Sequence, residues 1–125
     1  MQKVTSISDY CFNDVDLLLE ALSHPSLDRS ASYQRLEFLG DRVLGLVIAE
    51  ALFKEFPDEA EGALNNRLSA LVRRETVAEV ALGLGLDQLI ILSEGADLEG
   101  TRQKQSVLCD VGEAVIGAIF LDGGL

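Results

Sequence analysis

Hydrophobic residues recur at helical spacing through most of the chain. The pattern predicts four helices, over residues 15–23, 33–56, 63–82 and 107–121. Asn13 and Asp14 precede the first helix and Ser106 precedes the last, and all three are residue types that cap helix N-termini. The second helix is apolar around most of its circumference and ends before Pro57. We therefore expect it to be the buried central helix of the domain.

Polar and glycine-containing segments separate these helices. Loops are expected at residues 24–32 and 93–104, a bend at 58–62, and a short apolar turn or helix at 87–92. Gly83 and Gly85 end the third helix. Leu, Ala and Glu dominate the composition, and aromatic residues are scarce at 6%, which favours helices over sheets. The predicted fold class is all-α.

The length and charge of the chain limit the classes of function. A chain of 125 residues with 48% hydrophobic residues is expected to form one globular domain with a single core. Its formal net charge of −11 argues against direct binding of nucleic acid, which relies on Lys and Arg. Two exceptions stay open: carboxylates that recruit metal cations, which then contact phosphates, or a separate basic domain that has been removed.

Cysteine usage and hydropathy indicate a cytoplasmic protein. Cys11 and Cys109 have no metal-ligand or C-x-x-C spacing and are expected to be idle or buried thiols of a reducing compartment. Residues 1–10 lack the apolar core of a signal peptide, and the apolar stretch 43–53 is too short to span a bilayer. His24 is the only histidine, and we expect it to be a turn or core residue.

Four acidic residues lie where apolar residues would be expected. Glu37 and Asp41 are four residues apart in the second predicted helix, and Asp110 and Glu113 are three apart in the last. Each pair therefore lies on one helix face. The flanking residues are apolar, and a buried carboxylate without a partner strongly opposes folding. A cation must therefore compensate these charges.

The sequence leaves two candidates for that cation. Arginine side chains could form structural ion pairs with the acids, from Arg35, Arg42, Arg67, Arg73 or Arg74. Alternatively, carboxylate oxygens from two adjacent helices could hold a divalent ion. Small residues near the acids would let the two helices approach closely: Gly40, Gly45, Ala114, Gly117 and Ala118. An all-oxygen site without His or Cys ligands suits Mg²⁺ or Mn²⁺ rather than Zn²⁺.

Two motifs resemble those of bacterial ribonuclease III. Residues 34–41 (QRLEFLGD) resemble the signature usually written E-R-L-E-F-L-G-D, and residues 106–114 (SVLCDVGEA) match the second acidic motif of that family. Shorter matches keep the order of the family, at residues 22–26 (LSHPS), 61–62 (EG) and 71–73 (LVR). The resemblance covers nearly the whole chain. It implies one helical endonuclease domain over residues 1–125, with two central acidic helices packed side by side.

The resemblance also implies roles for individual residues. The acids of the metal-dependent cleavage site of the family match four positions: Glu37, Asp41, Asp110 and Glu113. Asp41 and Glu113 match the pair that is usually named as catalytic. Glu61 and Glu94 match secondary acids near the RNA valley. Phe38 matches an aromatic knob that enters a socket on a second subunit.

By this resemblance, the expected function is endonucleolytic cleavage of double-stranded RNA. The family acts as a homodimer in which each subunit cuts one strand and leaves a short 3′ overhang, and it processes rRNA precursors, mRNA and other structured RNAs. The expected cofactor is Mg²⁺, for which Mn²⁺ can substitute. A metal pair about 3.5–4 Å apart can activate water and stabilise the departing 3′ oxygen. The expected location is the cytoplasm, without membrane association.

Three departures from the family pattern bear on these expectations. Gln34 replaces the first Glu of the signature, and Cys109 stands where Ala is common; neither is expected to abolish activity. The chain stops at Leu125, before the rest of the usual nuclease domain and the basic domain that grips double-stranded RNA. We therefore expect a fragment or a short form with weak affinity for RNA.

Other functions stay open at this point. A non-enzymatic helical interaction module would use the acids structurally and would not respond to Mg²⁺ or Mn²⁺. A catalytically silent RNA-binding relative would have no need to keep four acids that repel phosphate. An iron-carboxylate bundle would need Glu-x-x-His motifs, which this sequence lacks.

Overall fold

The fold is built from helices around one long helix at the end of the chain. The computed structural model describes residues 6–7, 9–27 and 32–125. Within them, an antiparallel hairpin of β1 (Ser6–Ile7) and β2 (Tyr10–Cys11) precedes six α-helices: α1 (Val15–Leu22), α2 (Gln34–Glu55), α3 (Glu61–Val72), α4 (Arg74–Gly83), α5 (Glu94–Leu98) and α6 (Gln105–Gly123). No described helix is long and apolar enough to cross a membrane. The predicted all-α class is confirmed.

Helix α6 forms the centre of the core. Ten of its 19 residues are buried, and it packs against α1, α2 and α4. The same hydrophobic cluster contains Leu18 and Leu22 of α1 and Leu86 after α4, all of them fully buried. Burying a side chain of this size stabilises the fold by about 1.5–3 kcal/mol. The hydrophobic effect therefore holds the other helices against α6.

Helix α2 is not the buried central helix that its sequence predicts. Only four of its 22 residues are buried, while Phe38 is 64% exposed and Phe53 is 72% exposed. The prediction was wrong because apolar side chains on every face show only that burial would be favourable, and the other described helices cover only part of α2. An exposed apolar surface of this kind is typical of an interaction site.

The predicted helix 63–82 is in fact two helices, α3 and α4. The chain turns at Arg73, whose backbone is extended with ψ at 157°. The backbone amides of Thr76 and Val77 donate to the Arg73 carbonyl, and the Thr76 hydroxyl donates to the carbonyl of Ala70. The prediction was wrong because apolar residues keep helical spacing on both sides of the turn, so the pattern does not reveal it.

The segment before α6 is more ordered than predicted. The expected loop 93–104 contains α5, which begins where the Ser93 hydroxyl accepts a hydrogen bond from the amide of Ala96. Ser106 does not cap α6, because that helix already begins at Gln105. Helix α5 has only five residues, which is too short to show the helical spacing of apolar residues. The polar composition of the segment therefore predicted a loop.

Other predicted turns agree with the structure. Helix α4 ends at Gly83, and Gly85 adopts the left-handed conformation with φ at 76°. The short turn expected near residue 87 is a 3₁₀ turn, Leu86–Gln88. In the expected loop before α2, Pro25–Leu27 forms a second 3₁₀ turn, and residues 28–31 lie outside the described part of the chain.

The N-terminal hairpin is tied to the end of α6 through Asp122. Its carboxylate accepts hydrogen bonds from the Tyr10 hydroxyl and from the backbone amides of Asn13 and Asp14. These donors, the Tyr10 hydroxyl above all, hold the pKa of Asp122 below its usual value. Asp14 in turn caps α1, as predicted, because its side chain accepts from the amide of Asp16.

Helices α2 and α6 touch through backbone atoms at two glycines. A Cβ atom added to Gly40 would overlap the carbonyl oxygen of Glu113, and one added to Gly117 would overlap that of Leu36. The predicted close approach of the two helices is therefore confirmed at Gly40 and Gly117. Gly45, which was also expected to take part, has open space around it.

Gly40→Ala is expected to push α2 away from α6 and to lower the free energy of unfolding by about 1–3 kcal/mol or more. Gly45→Ala is the matched control, because it adds the same methyl group to the same helix where nothing lies within 4 Å. Ala favours helix by up to about 1 kcal/mol over Gly, so the control should be at least as stable as the parent. Urea denaturation followed by circular dichroism measures both. Equal stability of the two variants would contradict the close contact.

Candidate metal centre

The contact between α2 and α6 brings four carboxyl groups together. Glu37 and Asp41 lie one turn apart on α2, and Asp110 and Glu113 lie on α6. The Glu37 carboxyl is within hydrogen-bonding reach of the Asp110 carboxyl, and the Glu113 carboxyl is within reach of Asp41. Two ionised carboxylates repel, so such pairs are stable when one carries a proton or when a cation lies between them. We call these four residues the carboxylate cluster.

Burial makes two members of the carboxylate cluster weak acids. Burial raises the pKa of Glu113 to about 7, and the hydrogen bond with Asp41 adds to this effect. Burial likewise raises the pKa of Glu37 to about 7, with a further contribution from the charge of Asp110. Glu113 is almost fully buried, whereas the Asp41 side chain is 56% exposed. The cluster therefore has a buried floor at Glu113 and an open side at Asp41.

Arginines neutralise only part of the cluster. Arg74 Nη2 lies 3.5 Å from Asp110 Oδ1, and Arg42 Nη1 lies 3.4 Å from Asp41 Oδ2. Both arginine side chains are mostly exposed, and exposed ion pairs contribute little to stability. Among the described residues, no cationic group forms an ion pair with either glutamate of the cluster. Two further arginines pair with acids elsewhere: Arg67 with Glu59 and Arg73 with Glu75.

Cys109 contacts the cluster, although its sequence position indicated no role. Its thiol donates a hydrogen bond to Glu113 Oε1 over 3.4 Å. Ligand atoms of Cys109, Asp110 and Glu113 all lie within 4.8 Å of one another. Burial, together with the charge of Glu113, raises the pKa of the Cys109 thiol to about 12. The four-residue spacing from Glu113 is the signal that could have indicated this contact.

Tyr33 also borders the cluster and was not predicted. It is buried just before α2 begins, and burial together with the charges of Asp110 and Glu37 raises the pKa of its phenol. The ring of His24 lies edge-on to that of Tyr33, with centroids 5.8 Å apart. Nδ1 of His24 accepts a hydrogen bond from the Ser26 amide, and burial lowers the pKa of the imidazole. These contacts are those of the turn residue expected from the sequence.

The remaining candidates lie outside the carboxylate cluster. Glu61 begins α3 and Glu94 begins α5; both are exposed. Neither contributes to the raised pKa values of Glu37 and Glu113. Phe38 is exposed, and the guanidinium of Arg42 lies 4.0 Å from the centre of its ring. Gln34, which replaces the usual acid of the signature motif, is exposed at the start of α2.

The donor set of the cluster fits a hard divalent cation. Carboxyl groups of the two packed helices meet in two pairs, Glu37 with Asp110 and Asp41 with Glu113, and both glutamates lack an ion pair within the described chain. Oxygen ligands of this kind bind Mg²⁺ and Mn²⁺. A doubly charged ion would take the place of the protons that the raised pKa values imply. The four acids could therefore hold such an ion.

Glu113→Gln is expected to stabilise the metal-free protein at pH 8. Folding raises the pKa of Glu113 from 4.5 to about 7, so the folded chain holds the extra proton between these pH values and stability falls as the pH rises through them. The Gln side chain carries no charge, so the variant does not lose stability in this way. Its free energy of unfolding should be higher than that of the parent by on the order of 2 kcal/mol at pH 8, with little difference near pH 4.5. Urea denaturation in EDTA measures both. A variant less stable than the parent at pH 8 would contradict a buried, uncompensated carboxylate.

Comparisons of this chain with known proteins all point to one family. Residues 14–125 match the Ribonuclease-III-like family. Ribonuclease 3 of Anaplasma phagocytophilum is 48% identical over 99% of this chain and 53% of that protein. Ribonuclease 3 of Rhodopseudomonas palustris is 50% identical over 92% of this chain and 44% of that protein. The chain thus spans about half the length of the curated relatives it matches.

Solved structures agree with these sequence matches. The nuclease domain of ribonuclease III from Campylobacter jejuni, described as flexible in a region involved in dimer formation, superposes with a TM-score of 0.89 at 44% identity. The match covers 92% of this chain and 80% of that one. Dicer from Pichia stipitis matches with a TM-score of 0.71 at 28% identity, over 98% of this chain and 51% of that one. The chain therefore belongs to the ribonuclease III family.

Proposed function

We propose that this chain is the nuclease domain of an enzyme that hydrolyses phosphodiester bonds in double-stranded RNA and leaves short 3′ overhangs. The observation that carries the proposal is the meeting of four acids across α2 and α6, where Glu37 and Glu113 have no ion pair within the described chain. Membership of the ribonuclease III family supports it. The proposed substrates are rRNA precursors, mRNA and other structured RNAs.

Mg²⁺ is the proposed cofactor, and Mn²⁺ is expected to substitute for it. The proposed ligands are the four members of the carboxylate cluster: Glu37, Asp41, Asp110 and Glu113. Their chemistry supports this choice, because hard cations prefer carboxylate oxygens. When bound, such ions supply the positive charge that activates a water molecule and stabilises the departing 3′ oxygen.

The different depths of Asp41 and Glu113 support distinct tasks for the proposed catalytic pair. Asp41 stands on the open side of the cluster, where its carboxylate can orient the attacking water and accept its proton. Glu113 lies on the buried floor and contacts Asp41, so it holds that carboxylate in place. Glu61 and Glu94 are exposed and stay proposed as secondary acids near the bound RNA.

RNA must approach this centre on an acidic protein. The formal net charge of −11 repels phosphates. Arg42 and Arg74 lie at the edge of the cluster, each beside one of its aspartates, and are suited to contact phosphates on either side of the bond to be cut. We expect weak, salt-sensitive binding by this chain alone. The cytoplasmic location stays a prediction.

Mg²⁺ or Mn²⁺ is expected to raise the melting temperature of the chain. An ion that binds only the folded state stabilises it by about 2.7 kcal/mol at a hundredfold its dissociation constant. Glu113→Gln should lose most of this effect. Glu50→Gln should keep it, because Glu50 is an exposed acid of α2 that pairs with Lys54. An unchanged melting curve up to tens of millimolar would favour a non-enzymatic interaction module instead.

The same conditions test the activity. With Mn²⁺, the parent chain is expected to cut a long RNA duplex and to leave a single strand of the same sequence intact. Asp41→Asn should slow cleavage by about 100-fold or more, whereas Glu50→Gln should cleave like the parent. Gel electrophoresis of end-labelled RNA measures the rates. Equal cleavage by the parent and Asp41→Asn would show that the activity arises elsewhere.

We further propose a homodimer formed through the exposed side of α2. Phe38 borders a recess of about 610 Å³ that is also lined by Arg35, Leu39 and Leu121. In a two-fold dimer both copies present the same surface, so each Phe38 can enter the recess of the other copy. The Campylobacter jejuni nuclease domain, which is described with a region involved in dimer formation, supports the formation of a dimer.

Phe38→Ala is expected to raise the dimer dissociation constant by about tenfold or more, which corresponds to 1.4 kcal/mol. The free energy of unfolding should change little, because Phe38 is exposed in the single chain. Leu98→Ala removes an apolar side chain of α5 that is even more exposed than Phe38 and is the control. Sedimentation velocity over a dilution series measures association. An unchanged dimer would remove Phe38 from the interface.

A further inference from the structure

The motif at residues 22–26 (LSHPS) has no part in the proposed hydrolysis, but it holds Tyr33 in place. The backbone amide of Tyr33 donates to the Ser23 carbonyl over 2.9 Å. The ring of His24 lies edge-on to the Tyr33 ring, and Nδ1 of His24 accepts a hydrogen bond from the Ser26 amide. Tyr33 is only 4% exposed. The turn after α1 therefore fixes a buried phenol just before α2 begins.

Tyr33 contacts both helices that carry the carboxylate cluster. At the start of α2, the backbone amide of Glu37 donates to the Tyr33 carbonyl over 2.8 Å. The Tyr33 hydroxyl lies within hydrogen-bonding reach of the Asp110 carboxyl on α6. A phenol keeps its proton at neutral pH, so this hydroxyl can donate to the carboxylate. One buried residue thus links an acid of each helix.

Asp110 has a second neighbour, Arg74, whose contact is weaker. Arg74 Nη2 lies 3.5 Å from Asp110 Oδ1, and the arginine side chain is 58% exposed, so solvent screens this pair. The Tyr33 hydroxyl, in contrast, comes from a side chain that packing holds in one place. Carboxylates that bind metal ions are commonly oriented by such hydrogen bonds from neighbouring groups. Tyr33 is therefore the neighbour suited to fix the direction of the Asp110 carboxylate.

We propose that Tyr33 is a positioning residue of the nuclease centre, whose hydroxyl holds the Asp110 carboxylate turned toward Glu37. This role rests on the proposed function, because Asp110 and Glu37 are proposed ligands of the metal ion. Tyr33 acts through Asp110 and not on the reacting atoms. Without the hydroxyl, the Asp110 side chain has more freedom, which is lost when the ion binds. The affinity for the ion should therefore fall, while the reaction at saturating ion should not.

Tyr33→Phe removes the hydroxyl and keeps the ring that packs beside His24. Isothermal titration calorimetry should show a dissociation constant for Mn²⁺ that is higher by about tenfold or more. The Mn²⁺ concentration for half-maximal cleavage of an RNA duplex should rise by the same factor, with a rate near that of the parent at saturation. Tyr10→Phe is the matched control, because the Tyr10 hydroxyl donates to Asp122 at the opposite end of α6. It should bind Mn²⁺ and cleave like the parent.

Tyrosine fluorescence tests the contact without a metal ion and without a change at Tyr33. The chain has two tyrosines and no tryptophan, so Tyr33 is the only such emitter in the Tyr10→Phe chain. A phenol that donates to a carboxylate emits weakly, so Asp110→Asn should raise the emission in EDTA. Asp41→Asn removes the same charge from a carboxyl that does not affect Tyr33. It should leave the emission unchanged.

Two results would overturn the role of Tyr33: an Mn²⁺ affinity that Tyr33→Phe leaves unchanged, or an emission that Asp110→Asn leaves unchanged. The emission decides the matter even where Tyr33→Phe fails to fold. A parent chain that binds Mn²⁺ no better than Tyr33→Phe would contradict this role alone. A parent chain that binds no Mn²⁺ at all would contradict the proposed metal centre and, with it, the role of Tyr33.

Discussion

The candidate centre depends on the direct contact between the backbones of α2 and α6. Aspartate and glutamate side chains are short, so acids on two helices meet only where the helix axes come unusually close. Gly40 and Gly117 allow this approach, because a Cβ atom at either place would overlap the backbone of the other helix. Burial of α6 among the apolar residues of α1 and α4 holds it against α2. The packing of the hydrophobic core therefore also positions the carboxyl groups of the candidate centre.

The same contact makes the centre a source of instability. Glu37 and Glu113 are buried enough for their pKa values to rise to about 7, and the nearby arginines pair with the aspartates instead. Natural proteins commonly keep such unfavourable groups where function requires them, at the expense of stability. A divalent ion bound between these carboxylates would attract all of them, so binding of such an ion would stabilise the folded chain. The Cys109 thiol donates a hydrogen bond to Glu113 from the same helix.

The members of the cluster could be predicted from the sequence because helical spacing is a local property. Glu37 and Asp41 share a face at any packing, and glycine at position 40 indicates a close neighbour. The residues that pack against each helix face are distant in the sequence. The apolar residues around α2 therefore did not reveal which side of it is exposed. The turn at Arg73 is made by hydrogen bonds to its carbonyl group. The apolar residues keep their helical spacing across this turn, so the sequence pattern did not reveal it. The four-residue spacing of Cys109 and Glu113 puts both side chains on one face of α6, and the hydrogen bond between them is seen only in the structure.

The location of bound Mn²⁺ tests this account most directly. Crystals of the chain grown with saturating MnCl₂ would give an anomalous difference map that identifies the ion independently of any assay. The account predicts a peak between α2 and α6, within bonding distance of carboxylate oxygens from both helices. A peak elsewhere would contradict it, as would an empty cluster whose carboxyl groups remain hydrogen-bonded to one another at saturating Mn²⁺.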